Sequence, residues 1–347
     1  MLNSKSRFSQ MMITLFVAIL GIVLIQNYAF VNQSFLTSVF SIIIGLVVLL
    51  VCTVPSLIVK SKTDLSFASF VRRETPTAMV FLSMFYALYF VYAIVLFLSK
   101  YASVFTSTGN RSDAGFSVVF IMLAVCVFAS CRGIGAVARC SLIFFAFAVV
   151  ALTLIFVGNI SNLDFSAFEF ELNGGQLQYG SAVFAMIAFA AVVFGFFEYN
   201  SRTRVKNTVF LVCGIGILLF LVVFFVFFAL GNYGTMQKYQ MFVLSKTADI
   251  GGVGCIDSFH LSLCAVTIFV LVSLCLICVG KVVDRDKSVW CMTIFAAISY
   301  VLYLTADYYN SVKEIIFNPY VFDVFTILAS FVVPVIYITI FWRRLNA

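Results

Sequence analysis

Ten apolar stretches, most of about 20 residues, follow one another along this chain, and a stretch of that length can cross a bilayer as a helix. Within lipid every backbone N–H and C=O needs a partner inside the protein, and helices satisfy that need segment by segment. The expected fold class is therefore an all-α polytopic membrane protein with ten transmembrane helices. The segments are Gln10 to Tyr28, Phe35 to Val59, Thr77 to Leu98, Phe116 to Ser130, Val137 to Gly158, Gly180 to Tyr199, Thr208 to Leu230, Phe259 to Val279, Val289 to Leu304 and Val321 to Trp342. With 63% hydrophobic and only 10% charged residues, the composition excludes a soluble globular domain, whose apolar share is about half and charged share about a quarter.

A formal net charge of +7 invites an acidic partner, but in a membrane protein the placement of basic residues first sets orientation. With a cytoplasmic amino terminus, ten spans put 16 of the 21 lysines and arginines on the inner side and leave Lys100, Arg111, Lys238, Lys246 and Lys313 outside. Omitting the short fourth segment would invert the later loops and place Arg202, Arg204 and Lys206 outside. The charges thus favour ten spans, both termini in the cytoplasm, a lipid environment and no nucleic-acid partner. The first segment follows Lys5 and Arg7 like a secretory signal, but it has no A-x-A-like cleavage site and is expected to be a retained helix. Apart from Cys255, the cysteines lie in or beside apolar segments, where thiols act as small buried hydrophobes.

Two connections are long, Lys60 to Pro76 and Gly231 to Ser258, and they occupy matching places in the two halves of the chain. Each holds a surface-lying amphipathic pattern: Leu65, Phe67, Phe70 and Val71 in the first, Met236, Tyr239, Phe242 and Val243 in the second. One would face the cytoplasm and the other the outside, as a five-plus-five inverted repeat of an amino-acid transporter-like fold requires. A single transmembrane domain over residues 1–347 is expected, with repeats at approximately 8–158 and 177–342.

In such a fold the ligand lies near the midplane, between the first helices of the two halves, where unwound backbone offers amides and carbonyls. Gly21 in the first helix and Gly195 in the sixth are candidate break points, although glycine also serves close packing. Tyr86, Tyr89 and Tyr92 repeat every third residue, which brings three hydroxyls near one face of the third helix, as a cavity wall or as a helix interface. The eighth helix adds Ser262, Thr267 and Ser273, and Pro334 lies in mid-span of the tenth, where it kinks the helix and frees a carbonyl. The candidate ligand-binding residues are Gly21, Ile22, Tyr86, Tyr89, Phe189, Gly195 and Thr267.

Ionisable residues within spans mark ion and proton pathways, yet no Asp, Glu, Lys or Arg falls near the centre of a segment. Glu198, Asp257, His260 and Asp323 stand at span ends, where exposure to headgroups and water is expected. A carboxylate-driven proton pump is disfavoured. A caged sodium ion lacks an adjacent hydroxyl pair on the eighth helix. One histidine, a lone Cys275/Cys278 pair and no phosphate loop or nucleophile elbow argue against an enzyme, a metal site or a cofactor.

Four stretches carry a resemblance: Phe70 to Met79 (FVRRETPTAM), Cys131 to Cys140 (CRGIGAVARC), Asn159 to Phe168 (NISNLDFSAF) and Ser245 to Gly252 (SKTADIGG). In order and spacing they resemble the endospore germination permeases, the B subunits of spore germinant receptors in the amino acid, polyamine and organocation transporter superfamily. The sequence departs from that family where a proline and an acidic residue are common in the sixth helix; here FGFFEY carries only Glu198, near the end. Only Asp257 remains of an arginine–acid pair before the eighth. The resemblance implies a subunit of the spore inner membrane that senses a small amino acid-like germinant in a transporter-like pocket, beside an A subunit and a C lipoprotein. The alternative is an active amino-acid permease.

Overall fold

The computed structural model describes residues 8–26, 34–63, 65–109, 114–166, 174–197, 204–235, 237–250, 256–283 and 288–341. Glu198, Arg202 and Cys255, together with Met236 of the second amphipathic pattern, lie outside them.

Each of the ten apolar segments falls on helix. The first half holds α1 (Phe8–Ile25), α2 (Phe35–Thr63), a short α3 (Phe67–Glu74), α4 (Pro76–Gly109), α5 (Ala114–Cys131) and α6 (Ile134–Val157). The second opens with α7 (Gly174–Ala185) and α8 (Phe189–Phe196), joined by a tight turn of 3-10 helix over Met186–Ala188, and continues through α9 (Arg204–Thr235) to the short α10 (Gln240–Thr247). After α11 (Asp257–Val283) and α12 (Ser288–Tyr308) come a short α13 (Asn310–Phe317), α14 (Pro319–Ile327) and α15 (Val333–Ile340), the last two linked by π-helix over Leu328–Val332. Among the described residues eight helices are long and apolar enough to cross a membrane, and Gln10–Ile25 and Gly115–Cys131 are shorter apolar helices.

Burial sorts the helices. In α1, in the α7–α8 unit from Gly180 onward and through most of α11, residues are buried on nearly every face, so these three form the centre. The surrounding helices turn large apolar side chains outward: Phe81 is 80%, Trp290 74% and Ile143 71% exposed, a surface that suits lipid and not water. Hydroxyl groups tie the layers together. Thr14 of α1 meets Ser141 of α6 at 2.9 Å, and the Ser130 hydroxyl of α5 donates to the Ser273 carbonyl of α11 at 3.1 Å.

Both long connections contain a short helix. In α3 the apolar face is packed into the protein, with Phe67 and Phe70 each 2% exposed, and Ser66 caps its first turn by accepting from Ser69 N–H. In α10, Phe242 is buried likewise. The sequence reading did not anticipate α13, whose polar start NSVKE hides the apolar Ile315, Ile316 and Phe317 that follow.

Between α5 and α6 the chain turns at Gly133, with φ 85° and ψ 175°, a conformation essentially reserved for glycine. This is why the CRGIG stretch needs its first glycine. Two other stretches of the family resemblance clasp each other. The buried Asn159 amide donates to the carbonyls of Ile155 and Leu244, each at 2.8 Å, and its oxygen accepts from the Thr247 hydroxyl at 2.9 Å. Beside it, Asp249 N–H donates to the Gly158 carbonyl at 2.9 Å.

Candidate functional site

The sixth apolar segment is interrupted, but not at Gly195. The interruption is the 3-10 turn Met186–Ala188, in a stretch without glycine or proline. Tightening the helix there releases the Val183 carbonyl from its helical partner, and the side chain of Gln26, at the end of α1, donates to it at 2.6 Å. The same amide lies 2.9 Å from the Met186 sulfur, and on the other side the Lys100 ammonium of α4 lies 3.8 Å from it. The first helix itself passes unbroken through Gly21 to Ile25.

Across the turn stands Asp323 of α14. It is only 8% exposed, and its Oδ1 has no hydrogen-bond partner. Asp323 and Lys100 attract one another electrostatically without forming an ion pair. The expectation that Asp323 faces headgroups and water is therefore corrected: proline at the first position of α14 starts the helix early and carries Asp323 inside the bundle. His260 is corrected too. It is fully buried, with Nε2 3.4 Å from the Cys264 sulfur one turn on and the Phe242 ring packed beside it. A buried carboxylate with an unpartnered oxygen costs stability. Asp323→Asn is accordingly expected to gain about 1–3 kcal/mol in detergent unfolding, and a loss instead would show that the charge has an occupant to hold.

The tyrosine stripe faces α13, α14 and the π-turn. The Tyr86 hydroxyl donates to the Ala329 carbonyl at 2.7 Å, Tyr89 meets the Thr326 hydroxyl at 3.0 Å, and Tyr92 donates to the Ile316 carbonyl at 3.1 Å. In the π-turn Val333 N–H reaches back five residues to Leu328, so the donor owed to Ala329 would come from residue 334. Residue 334 is proline, which has none, and Tyr86 supplies it. The hydroxyls of Tyr86 and Tyr89 are thus engaged with the tenth apolar segment. Phe189 opens α8 within the same aromatic cluster, its ring 5.4 Å from Phe97 and 6.3 Å from Tyr89.

The remaining candidate residues are packed. A Cβ on Gly21 would lie 3.1 Å from the Thr267 backbone, which makes the pair the close crossing of α1 and α11. The Thr267 hydroxyl donates to carbonyls of its own helix, at Leu263 and Cys264, and Ile22 is buried beside this crossing. Gly195 faces Ser56 of α2, whose oxygen would be 3.0 Å from an added Cβ. The structure brings Tyr86, Tyr89 and Phe189 together, and Gly21 with Thr267, in two neighbouring parts of the core.

Cations close the end of α8. Lys60 of α2 donates to the Phe194 carbonyl and lies 3.8 Å from the centre of its ring; Lys281 of α11 donates to the Phe196 carbonyl at 3.4 Å. Arg72 of α3 donates in turn to the carbonyls of Lys281 and Val282, at 3.0 and 3.3 Å. Positive charge at a helix C-terminus satisfies orphan carbonyls and complements the helix dipole. All three belong to the group the charge pattern placed on one side.

At the other end of α4 a pocket of about 540 Å³ opens between α4, α5, α12 and α13, and a second of about 310 Å³ adjoins it. Ser99, Ser103, Lys238 and Lys313 line the first; Lys100, Tyr239 and Glu314 enter the second. Tyr239, beside the Ser103 and Ser107 hydroxyls, has its own hydroxyl pushed up to about 12 by burial and remains a neutral donor. None of the seven candidate residues lines either pocket. The sequence reading missed Gln26, Ser99, Lys100 and Met186; the available signal was a lone polar side chain at the end of an apolar run, as at Gln26 and Lys100.

No protein-family model and no curated protein matches the sequence. Twenty-three solved chains match the structure. One is a sodium-coupled sialic acid symporter, solved substrate-bound and outward-open, with a TM-score of 0.63 at 11% identity over 92% of this chain and 79% of that one. The chain thus shares the fold of that membrane transporter.

Proposed function

We propose that this protein is the B subunit of a spore germinant receptor: a ten-span, five-plus-five inverted repeat in the spore inner membrane, both termini cytoplasmic, sensing a small amino acid-like nutrient. Its partners are an A subunit and a C lipoprotein. The observation that carries the reading is a transporter fold in a chain bearing the four germination-permease stretches, two of which, around Asn159 and Thr247, are bonded to each other. An interrupted sixth helix, with its freed carbonyl taken by Gln26, fits a machine that responds to ligand by shifting between two arrangements. Ligand acts by binding one arrangement better than the other.

A second reading, an active amino-acid permease, is favoured by Lys100 and Asp323 flanking that interruption, since buried charges in spans accompany transport. Two assays divide them. As a receptor subunit, the chain co-purifies with A and C subunits, and Lys100→Met shifts the germinant dose response by about tenfold or more. Reconstituted alone, it gives no concentrative uptake of radiolabelled amino acids. Robust uptake by the lone chain, with no effect of Lys100→Met on germination, would establish the permease instead.

A further inference from the structure

Two pockets adjoin beside the end of α4, and lysines stand in the walls of both. The smaller, of about 310 Å³, lies within the range of small-molecule sites, and Ser103 and Tyr239 give its wall hydroxyls that suit a polar occupant. Ser99 belongs to the wall of the larger space, but its oxygen is enclosed in the protein. Three lysines surround the two adjoining spaces. Lys313 is neutralised by Asp307 at 3.1 Å. Among the described residues no carboxylate forms an ion pair with Lys100 or Lys238; Asp323 acts on Lys100 only from α14, and Glu314 is exposed at the rim where solvent screens it.

We propose that the smaller of these pockets is a carboxylate-binding site, with the Lys100 ammonium receiving the carboxylate beside the Ser103 and Tyr239 hydroxyls and Lys238 drawing it in at the mouth. Charge-assisted hydrogen bonds of this kind are about twice as strong as neutral ones, and the half-buried Lys100 is less screened than a surface lysine. Because Lys100 also touches Met186, a ligand that draws the ammonium toward the pocket changes the environment of the 3-10 turn. The site rests on the ligand-sensing reading above and locates the ligand's acidic group within it, away from the crossing of Gly21 and Thr267.

The test uses the purified full chain and three four-carbon probes matched in length: succinate, putrescine and 1,4-butanediol. By calorimetry, succinate is expected to bind and the other two are not. Lys100→Met is expected to weaken succinate at least about tenfold, and Ser103→Ala a few-fold. Lys238→Glu, a change at an exposed residue that leaves the fold intact, is expected to abolish the preference for succinate over putrescine. Lys246→Ala, on α10 and outside the pocket, leaves succinate binding as in the parent. Succinate binding no better than butanediol, or equal in the parent and in Lys238→Glu, overturns the proposal. Lysine-dependent succinate binding in a chain that fails to associate with A and C subunits sustains the pocket and refutes the receptor reading.

Discussion

Gly45→Val is expected to destabilise the protein by about 3 kcal/mol, because α2 and α7 meet there backbone to backbone. A Cβ at Gly45 would stand 2.8 Å from the Phe184 Cβ, 2.9 Å from its carbonyl carbon and 3.0 Å from its oxygen. No rotamer change relieves contacts made largely with main chain, so the helices must separate, and close-packed interiors transmit such a shift rather than absorb it. The effect reaches the site, since Phe184 lies two residues before the turn at Met186–Ala188. Thermal unfolding in detergent gives the measurement. Gly174→Ala, where nothing lies within 4 Å of the added carbon, should change stability by less than about 0.5 kcal/mol. Equal melting of Gly45→Val and the parent would show that α2 and α7 do not approach so closely.

Asn159→Ala is expected to cost about 2–4 kcal/mol and to loosen α10 specifically. Every polar atom of that buried amide is used: two donors reach carbonyls of α6 and α10, and the oxygen accepts from Thr247 and from Asn162. Alanine removes this donor from the carbonyl of the buried Leu244 and this acceptor from the Thr247 hydroxyl. Hydrogen exchange should report lost protection in Gln240–Thr247 ahead of the global transition. Asn159→Asp separates the two roles, since it keeps the acceptor for Thr247 and removes both donors. If its exchange pattern matches the parent, the donors are not what holds α10.

The helical content of this fold was legible because lipid imposes it: apolar runs of sufficient length fall on helix at all ten places, and each long connection holds a short helix that carries part of its apolar pattern, Phe67, Phe70 and Val71 on α3 and Phe242 and Val243 on α10. The tyrosine stripe was legible as well, and the interface reading of its hydroxyls is the one that the bonds to Ala329, Thr326 and Ile316 support. Pro334 announced a freed carbonyl near it. The interruption at Met186–Ala188 was not legible, since the residue that stabilises it, Gln26, is 157 positions away and no glycine or proline marks the spot. Asp323 was misjudged for a related reason. It lies near the end of an apolar run, and only the tertiary arrangement of α4 and α14 decides that it turns inward.

The π-turn between α14 and α15 has a geometric yield of its own. One residue more than a regular turn rotates everything beyond it by about 100° around the helix axis. Upstream, Asp323 and Thr326 are presented to α4; downstream, the Tyr337 ring lies 6.0 Å from Phe67 of α3. A straight helix would align these residues differently and forfeit one of the two contacts. Leu328–Val332 therefore works as a register shift, allowing a single passage through the bundle to aim two faces independently, and shortening it by one residue would return both to one continuous stripe.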